Sequence, residues 1–323
     1  GFEQSNATEL LLTPDHYLYR MLYSQGVRLE DLGVKPLDGV VTADPREAWR
    51  IFASNQHLFR GTPSSMWLDH VFSVVFGFTE RLDASTADTY YDAINDKLAS
   101  DAFRPRALFD RFNIELIATT EGPSDTLKHH EAIRASGWGG RVVTAYRPDA
   151  VIDVEDERFG PAMKVFAEVT GKDVYDWKQY LAAHRQRRQD FIALGATSSD
   201  HGHPTPKTAN LSDVEAEALF RRVTKGDASA ADAELFRAQM LTEMARMSLE
   251  DGLVLQIHPG SSRNHNKALF EKYGRDKGAD SPSPTDYVQN LKPLLDAYGS
   301  NPDLSIILFT LDETSYAREL APL

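Results

Sequence analysis

The densest group of potentially reactive side chains follows a short apolar run late in the sequence. Residues 253–257 predict a buried strand, and His258 stands at its end, before a glycine-containing turn that carries Arg263 and Asn264. A guanidinium group can bind a carboxylate through two parallel hydrogen bonds, and a side-chain amide can bind hydroxyl groups. The alternative is a strand end capped by hydrogen-bonded polar residues, but this turn holds more donors than capping needs. We therefore expect a site for a ligand with carboxylate and hydroxyl groups.

A second group of polar residues lies near the start of the sequence. Pro14 and Asp15 mark the beginning of a helix, where His16 and Tyr17 could face a site. Taken alone, the segment fits a capped helix with an aromatic core face better than it fits a site. The spacing by itself therefore predicts a helix start and leaves its chemistry open.

A third group follows a weaker predicted strand at residues 196–198. Asp200 could orient the imidazole of His201, but adjacent residues on a strand face opposite ways, which favours two separate contacts. His201 and His203 have the His-x-His spacing of a metal-binding strand end. The loop that continues from them into two prolines argues against a metal at this point.

Composition excludes several classes of protein. The chain has 323 residues, a formal net charge of -13, 41% hydrophobic residues and no cysteine. An acidic protein repels nucleic-acid backbones, so an anionic substrate must be met by locally placed arginines. The lack of cysteine suits a reducing cytosol, and no apolar run approaches the length of a membrane span. We therefore expect a soluble, cytoplasmic protein that binds neither nucleic acid nor membrane. The sequence contains no nucleotide-binding motif and no serine-hydrolase motif.

The elements that must position these residues change character near residue 112. Apolar residues recur at three- and four-residue spacing from 7 to 112, which predicts helices. Thereafter short apolar runs alternate with helical segments, the pattern of βα units on a parallel sheet. The predicted strands are residues 114–119, 142–145, 196–198, 253–257 and 305–309. We predict one structural domain, in which a helical region (1–112) packs on βα barrel units (113–323), with ligands at the carboxyl ends of the strands.

Six short motifs, in this order, resemble those of the uronate isomerases, members of the amidohydrolase superfamily. The motifs are Asp15-His16-Tyr17 with Arg20-Met21, Trp67 with His70, residues 119–125 with His129-His130, Arg147-Pro148-Asp149, Ser199-Asp200-His201, and residues 257–260 with Arg263, Asn264 and Asn266. The resemblance covers nearly the whole chain. It implies an α/β fold, a distorted (β/α)8 TIM-type barrel with a large helical insertion near the N-terminus.

The resemblance also implies an activity. The family interconverts D-glucuronate with D-fructuronate and D-galacturonate with D-tagaturonate, by proton transfer between C2 and C1 through a cis-enediol. By resemblance, His16 assists opening of the sugar ring and Tyr17 takes part in the proton transfer. The implied substrate-binding residues are Arg147, Asp200, His201, His258, Arg263 and Asn264. The implied partners are a small hexuronate substrate and a divalent metal ion, zinc. Assembly of the chain into a homo-oligomer is a further possibility that the sequence leaves open.

The sequence departs from the family at the metal ligands. Neither the family's opening His-x-His strand nor its closing metal-binding Asp occurs, and the five predicted strands match the second to the sixth. We therefore expect an incomplete barrel without metal ligands and without activity on its own. Two alternatives stay open: a metal-dependent hydrolase of the same superfamily, in which a metal-bound hydroxide is the nucleophile, and a noncatalytic sugar-acid binding protein.

Overall fold

The computed structural model describes residues 5–40 and 43–323, and the chain forms two compact units. The first, the helical unit, consists of Gly1–Ile114 and Ser262–Ser281. The second, the sheet unit, consists of Glu115–Ser261 and Pro282–Leu323.

Helices and strands follow one another along the chain in this order. They are α1 (His16–Ser24), α2 (Pro45–Ser54), α3 (Pro63–His70), α4 (Ala87–Leu98), α5 (Pro105–Arg111), β1 (Ile117–Glu121), α6 (Lys128–Ala135), β2 (Val142–Tyr146), α7 (Asp149–Ile152), α8 (Phe159–Thr170), α9 (Trp177–Ala193), β3 (Ser198–His201), α10 (Asp213–Lys225), α11 (Ala230–Asp251), β4 (Val254–Ile257), β5 (Ser261–Ser262), α12 (Lys267–Tyr273), β6 (Ser281–Pro282), α13 (Tyr287–Tyr298), β7 (Ile306–Leu308) and α14 (Glu313–Ser315). Short π turns span Thr8–Leu12, Val71–Val75 and Tyr316–Leu320, and short 3-10 turns span Glu30–Leu32, Gln56–Phe59 and Asp101–Phe103.

The helical unit follows directly from its apolar spacing and its helix caps. Residues 5–40 and 43–112 hold helices α1 to α5 and no strand. Asp15 caps α1 by accepting hydrogen bonds from the backbone N–H groups of residues 17 and 18, and Asp44 caps α2 in the same way. Trp49 and Phe52 of α2 are fully buried in the core of this unit. Burial of these aromatic side chains stabilises the unit far more than helix propensity does.

The sheet unit is built on five parallel strands. Their order in the sheet is β1-β2-β3-β4-β7, so each strand pairs with the next long strand along the chain. Helices connect the paired strands, as parallel pairing requires a crossover. The parallel βα arrangement predicted from the alternating texture of the sequence is therefore confirmed.

The register of the strands places their carboxyl ends side by side. Tyr146 of β2 pairs with Ser199 of β3, and His201 of β3 pairs with Ile257 of β4. Pairing continues beyond the strands, because the N–H of His258 donates to the carbonyl of His201 at 3.0 Å and the N–H of Arg147 donates to the carbonyl of Glu121 at 2.9 Å. The first residues after β2 and β4 are therefore fixed by backbone hydrogen bonds.

Four of the five strands begin later than the sequence predicted, β4 and β7 by one residue each and β1 and β3 by three and two residues. β1 begins at Ile117 because the N–H of Ile114 bonds back to the carbonyl of Phe109 at 3.1 Å and closes α5. β3 begins at Ser198 because Ala196 makes the same bond to Phe191 at 3.0 Å and closes α9. In the sequence, an apolar residue that closes a helix in this way cannot be distinguished from the first apolar residue of the strand that follows.

Long helices cover the sheet and supply most of its core. α11 spans 22 residues, and Met240, Leu241 and Met244 are fully buried in it. They pack in one cluster with Leu255 and Ile257 of β4. In the part of the chain that the structure describes, no helix combines the length and the apolar character needed to cross a membrane.

Substitution of Gly195 tests the backbone conformation of the connection between α9 and β3. Its φ is +98°, and an added Cβ would lie 3.0 Å from Val143 Cγ1. We expect Gly195→Ala to lower the free energy of unfolding by about 1–2 kcal/mol, the cost of a left-handed backbone with a side chain. The measurement is the midpoint of urea unfolding.

Gly160→Ala is the matched control for this substitution. Gly160 lies in α8 and has open space around its Cα. We expect this variant to gain up to about 1 kcal/mol from helix propensity. Equal midpoints for the two variants would contradict the role given to Gly195.

Candidate functional site

Arg147, Asp200 and His258 form one polar group at the carboxyl ends of β2, β3 and β4. Asp200 Oδ1 lies 2.9 Å from His258 Nε2, and Asp200 Oδ2 lies 3.5 Å from Arg147 Nη1. The Asp200 side chain is 13% exposed, against 34% for Arg147 and 27% for His258. The carboxylate is thus the buried centre of the group, and the two partners retain surface that a ligand could contact.

The contact with Asp200 fixes how the His258 ring can act. The carboxylate lies against the Nε2 edge of the ring at 2.9 Å. The other ring nitrogen, Nδ1, remains for a ligand. His258 can therefore exchange a proton with a ligand hydroxyl while Asp200 holds the ring in place.

Asp149, which was not among the predicted site residues, holds the other side of Arg147. Its Oδ2 accepts hydrogen bonds from Arg147 Nε at 2.8 Å and from the backbone N–H of Gly202 at 3.0 Å. Asp149 is the first residue of α7 and lies two residues after Arg147. Two carboxylates therefore orient one guanidinium and leave hydrogen-bond donors on its terminal nitrogens.

Gly202 allows the chain after β3 to pass close to this group. A Cβ at this position would overlap Arg147 Nη2 and would lie 2.8 Å from His258 Cε1 and 3.0 Å from Asp149 Oδ2. A side chain at residue 202 would therefore displace the guanidinium or the imidazole. The need for glycine is visible only once the three side chains are in place.

Asp149 also lies beside two buried histidines. One ligand atom from each of Asp149, His201 and His203 lies within 4.8 Å of the others, so the three residues could hold a metal ion. His201 is fully buried and His203 is 3% exposed. Burial lowers the pKa of both imidazoles, since desolvation penalises the charged form, and both rings are neutral at neutral pH. The sequence argued against a metal at this His-x-His pair because the following loop contains two prolines. It did not identify Asp149 as a third ligand, because this residue follows a different strand.

Asp200 and His201 make separate contacts, although they are adjacent. Asp200 faces Arg147 and His258, whereas His201 Nε2 lies 3.2 Å from Ser199 Oγ. The opposite orientation of neighbouring strand residues accounts for this.

His16 and Tyr17, the predicted catalytic residues, lie at the start of α1 in the helical unit. Their ring centroids are 4.5 Å apart and the rings are tilted by 42°. Nδ1 of His16 is buried and has no hydrogen-bond partner among the described residues, while Tyr17 is 59% exposed. The helix starts at His16 because Asp15 is the cap, so Pro14 precedes the cap and does not begin the helix.

Arg263 and Asn264, the last two predicted binding residues, also lie in the helical unit and share one carboxylate. Asp280 Oδ2 is 3.6 Å from Arg263 Nη1, and Asp280 Oδ1 accepts from the backbone N–H of Asn264 at 2.8 Å. The carbonyl of Asp280 accepts from Arg20 Nη1 at 2.6 Å. Asp280 was not predicted, because only the folded chain brings it next to residues 16 positions earlier.

Fold and side chains together define a class of protein. A parallel α/β sheet presents arginine, carboxylate and imidazole groups at the carboxyl ends of adjacent strands, where such sheets bind ligands. The arrangement suits a small anionic ligand with hydroxyl groups.

Comparison with known proteins identifies the family. Residues 2–321 match the family model described as glucuronate isomerase. The chain is 70% identical over 318 residues to the uronate isomerase of Caulobacter vibrioides, covering 98% of this chain and 65% of that protein. It is 64% identical over 320 residues to the uronate isomerase of Xanthomonas campestris pv. campestris, covering 99% and 68%. The chain belongs to the glucuronate isomerase family.

Solved structures agree on the fold. The crystal structure of glucuronate isomerase from Caulobacter crescentus superposes with a TM-score of 0.97 at 69% identity, covering 99% of this chain and 67% of that chain. The uronate isomerase of Thermotoga maritima, at 22% identity, shares the fold with a TM-score of 0.89, covering 98% and 68%. The predicted barrel fold of the amidohydrolase type is confirmed, and neither the hydrolase nor the binding-protein alternative is favoured. The chain spans 65% of the length of the Caulobacter relative.

A double-mutant cycle tests the contact between Asp200 and His258. We expect Asp200→Asn and His258→Gln to show a coupling free energy of about 0.5–3 kcal/mol, as for side chains in direct contact. Urea unfolding of the two single variants and the double variant measures it. As a control, Arg222→Gln, which removes a surface partner of Asp232, should combine additively with Asp200→Asn. Additive losses of stability for Asp200→Asn and His258→Gln would contradict an energetic coupling between the two side chains.

Proposed function

We propose that the protein containing this chain interconverts aldohexuronates and ketohexuronates, D-glucuronate with D-fructuronate and D-galacturonate with D-tagaturonate. The observation that carries the proposal is the convergence of Arg147, Asp200 and His258 at three neighbouring strand ends in a chain of this family. The named relatives, at 64–70% identity, support the same reaction.

The reaction defines what the site must supply. A base removes the proton at C2 of the open-chain aldose, the electron pair forms a double bond between C1 and C2, and O1 gains a proton, which gives a cis-enediol. Loss of the proton on O2 and return of a proton to C1 then give the ketose. The site must therefore bind the sugar carboxylate, move protons between oxygen and carbon, and stabilise negative charge on oxygen.

Arg147 is the proposed binding group for an anionic part of the substrate. In a chain of net charge -13, an anion needs a specific cation, and this guanidinium is held at Nε by Asp149 and lies beside Asp200 at Nη1. Because both carboxylates fix its plane, little conformational entropy is lost when it binds a ligand. Its free donors can form the paired hydrogen bonds that a carboxylate or an enediolate accepts.

His258 is the proposed group for hydroxyl protons on the substrate. Its Nε2 lies 2.9 Å from Asp200 Oδ1, which leaves Nδ1 for a hydroxyl group of the substrate. A ring held in this way can accept a proton from a sugar hydroxyl and return it without reorienting. Asp200 thus acts as a positioning residue, because its contacts are with His258 and Arg147.

The roles of the residues in the helical unit are proposed from the family resemblance. His16 assists ring opening, Tyr17 takes part in the C2–C1 proton transfer, and Arg263 and Asn264 hold the carboxylate and hydroxyl groups. Local geometry supports these roles: His16 Nδ1 has no hydrogen-bond partner among the described residues, and Tyr17 is 59% exposed. A buried imidazole nitrogen without a partner costs about 1–3 kcal/mol unless it serves a ligand.

A divalent metal, zinc by the resemblance, belongs to the proposed activity as a cofactor. When bound, such an ion polarises sugar oxygen atoms and stabilises charge on them. The ligand set that the resemblance requires, a His-x-His strand at the opening and a closing Asp, does not occur in the sequence.

A homo-oligomer and a cytoplasmic location stay predictions from the sequence. The proposed partner is the hexuronate itself.

Deuterium at C2 of D-glucuronate tests the reaction. We expect the protein containing this chain to release this deuterium as the ketose forms. Arg147→Met should lower kcat/KM by about 30- to 150-fold, since a hydrogen-bonded charge is worth about 2–3 kcal/mol. The measurement is NMR detection of deuterium loss together with ketose formation.

Arg185→Met is the matched control for Arg147→Met. Arg185 is an arginine of α9 that pairs with Glu250 at 2.6 Å, and its substitution should leave kcat/KM unchanged. Retention of deuterium together with hydrolysis of an ester or amide would overturn the proposed function.

A further inference from the structure

We propose that Asp149, His201 and His203 form a metal site in the sheet unit for a divalent transition-metal ion such as zinc. The three residues come from two adjacent strand ends: His201 ends β3, His203 follows two residues later, and Asp149 starts α7 after β2. One ligand atom from each lies within 4.8 Å of the others. This site goes beyond the proposed isomerase activity, and the family resemblance gives none of these residues to a metal.

The potential ligand atoms of these three residues have no other hydrogen-bond partner among the described residues. Asp149 Oδ1, His201 Nδ1 and both ring nitrogens of His203 are buried and form no hydrogen bond with the described residues. His203 Nε2 lies 3.6 Å from Asp149 Oδ1, which is too long for a hydrogen bond. Each unpartnered buried atom destabilises the fold, and one cation would satisfy three of them together.

Other residues already contact the remaining polar atoms of Asp149 and His201. Asp149 Oδ2 accepts from Arg147 Nε at 2.8 Å and from Gly202 N at 3.0 Å, which leaves Oδ1 to face the histidines. His201 Nε2 lies 3.2 Å from Ser199 Oγ, and its Nδ1 has no hydrogen-bond partner among the described residues. Metal-binding carboxylates and imidazoles are oriented by such outer contacts.

The donor types select the class of metal. Two neutral imidazoles and one carboxylate suit zinc and its neighbours in the first transition row, whereas calcium and magnesium prefer oxygen ligands throughout. In a tetrahedral site with ligands at about 2.1 Å, the ligand atoms lie about 3.4 Å apart. The three side chains would therefore close inward by at most about 1 Å, with a fourth position open to water.

The charges of the neighbouring side chains also favour a bound cation. Arg147 carries one positive charge, while Asp149 and Asp200 carry two negative charges, so the three side chains together have a net negative charge. A divalent cation on Asp149 would make the same neighbourhood positive and would leave Arg147 in place, because Asp149 binds it through the other oxygen.

The test is metal content of the folded protein, without an affinity tag. We expect the wild-type protein, dialysed against zinc and then against metal-free buffer, to hold about one zinc equivalent per chain more than Asp149→Asn and His203→Asn. With cobalt in place of zinc, the wild-type protein should show visible ligand-field absorption that both variants lose. Circular dichroism checks that each variant is folded.

His130→Asn is the matched control. His130 is a buried histidine of the sheet unit whose Nε2 lies 2.8 Å from Thr119 Oγ1, outside the proposed site. The His130→Asn variant should keep the full zinc content and the cobalt spectrum of the wild-type protein. Equal zinc content in the wild-type protein and in the Asp149→Asn and His203→Asn variants would overturn the proposal. Absence of the cobalt absorption from the wild-type protein would also overturn it, and this result does not depend on whether the variants fold.

Discussion

One carboxylate, that of Asp200, holds an arginine and an imidazole that come from the strands on either side of it. Its oxygens lie 2.9 Å from His258 Nε2 and 3.5 Å from Arg147 Nη1. These contacts exist because parallel pairing continues past the strand ends, where the N–H of His258 donates to the carbonyl of His201 at 3.0 Å. A slip of one residue in β3 would turn Asp200 to the opposite face of the sheet and separate the group. The candidate site is therefore a consequence of backbone register.

The same group shows how an acidic protein can prepare a site for an anion. Asp149 and Asp200 fix the Arg147 side chain, which makes it a rigid donor but gives the neighbourhood a negative charge. A cation bound by Asp149, His201 and His203 would reverse that charge without releasing the guanidinium. On this account, one carboxylate links the anion-binding arginine to the metal ion.

The sequence predicted the alternation of strands and helices and the polar groups that follow the strands, because both depend on local spacing. It placed two strand starts too early by two or more residues, since Ile114 and Ala196 are apolar residues that close helices and resemble the first residues of strands. The starts of β4 and β7 were one residue too early. The sequence missed Asp149 and Asp280 as parts of their groups, and it argued against a metal at His201 and His203. The residues that they contact lie on other strands or at distant positions in the sequence. Local residue spacing cannot predict contacts between such segments.

The central claim is that a hexuronate binds at the strand ends where Arg147 and His258 meet Asp200. A crystal structure with D-glucuronate or D-fructuronate bound tests this claim most directly. The account predicts sugar oxygen atoms within hydrogen-bond distance, about 2.7–3.2 Å, of the Arg147 guanidinium and of His258 Nδ1. A sugar bound with both of these side chains free of contact would contradict it.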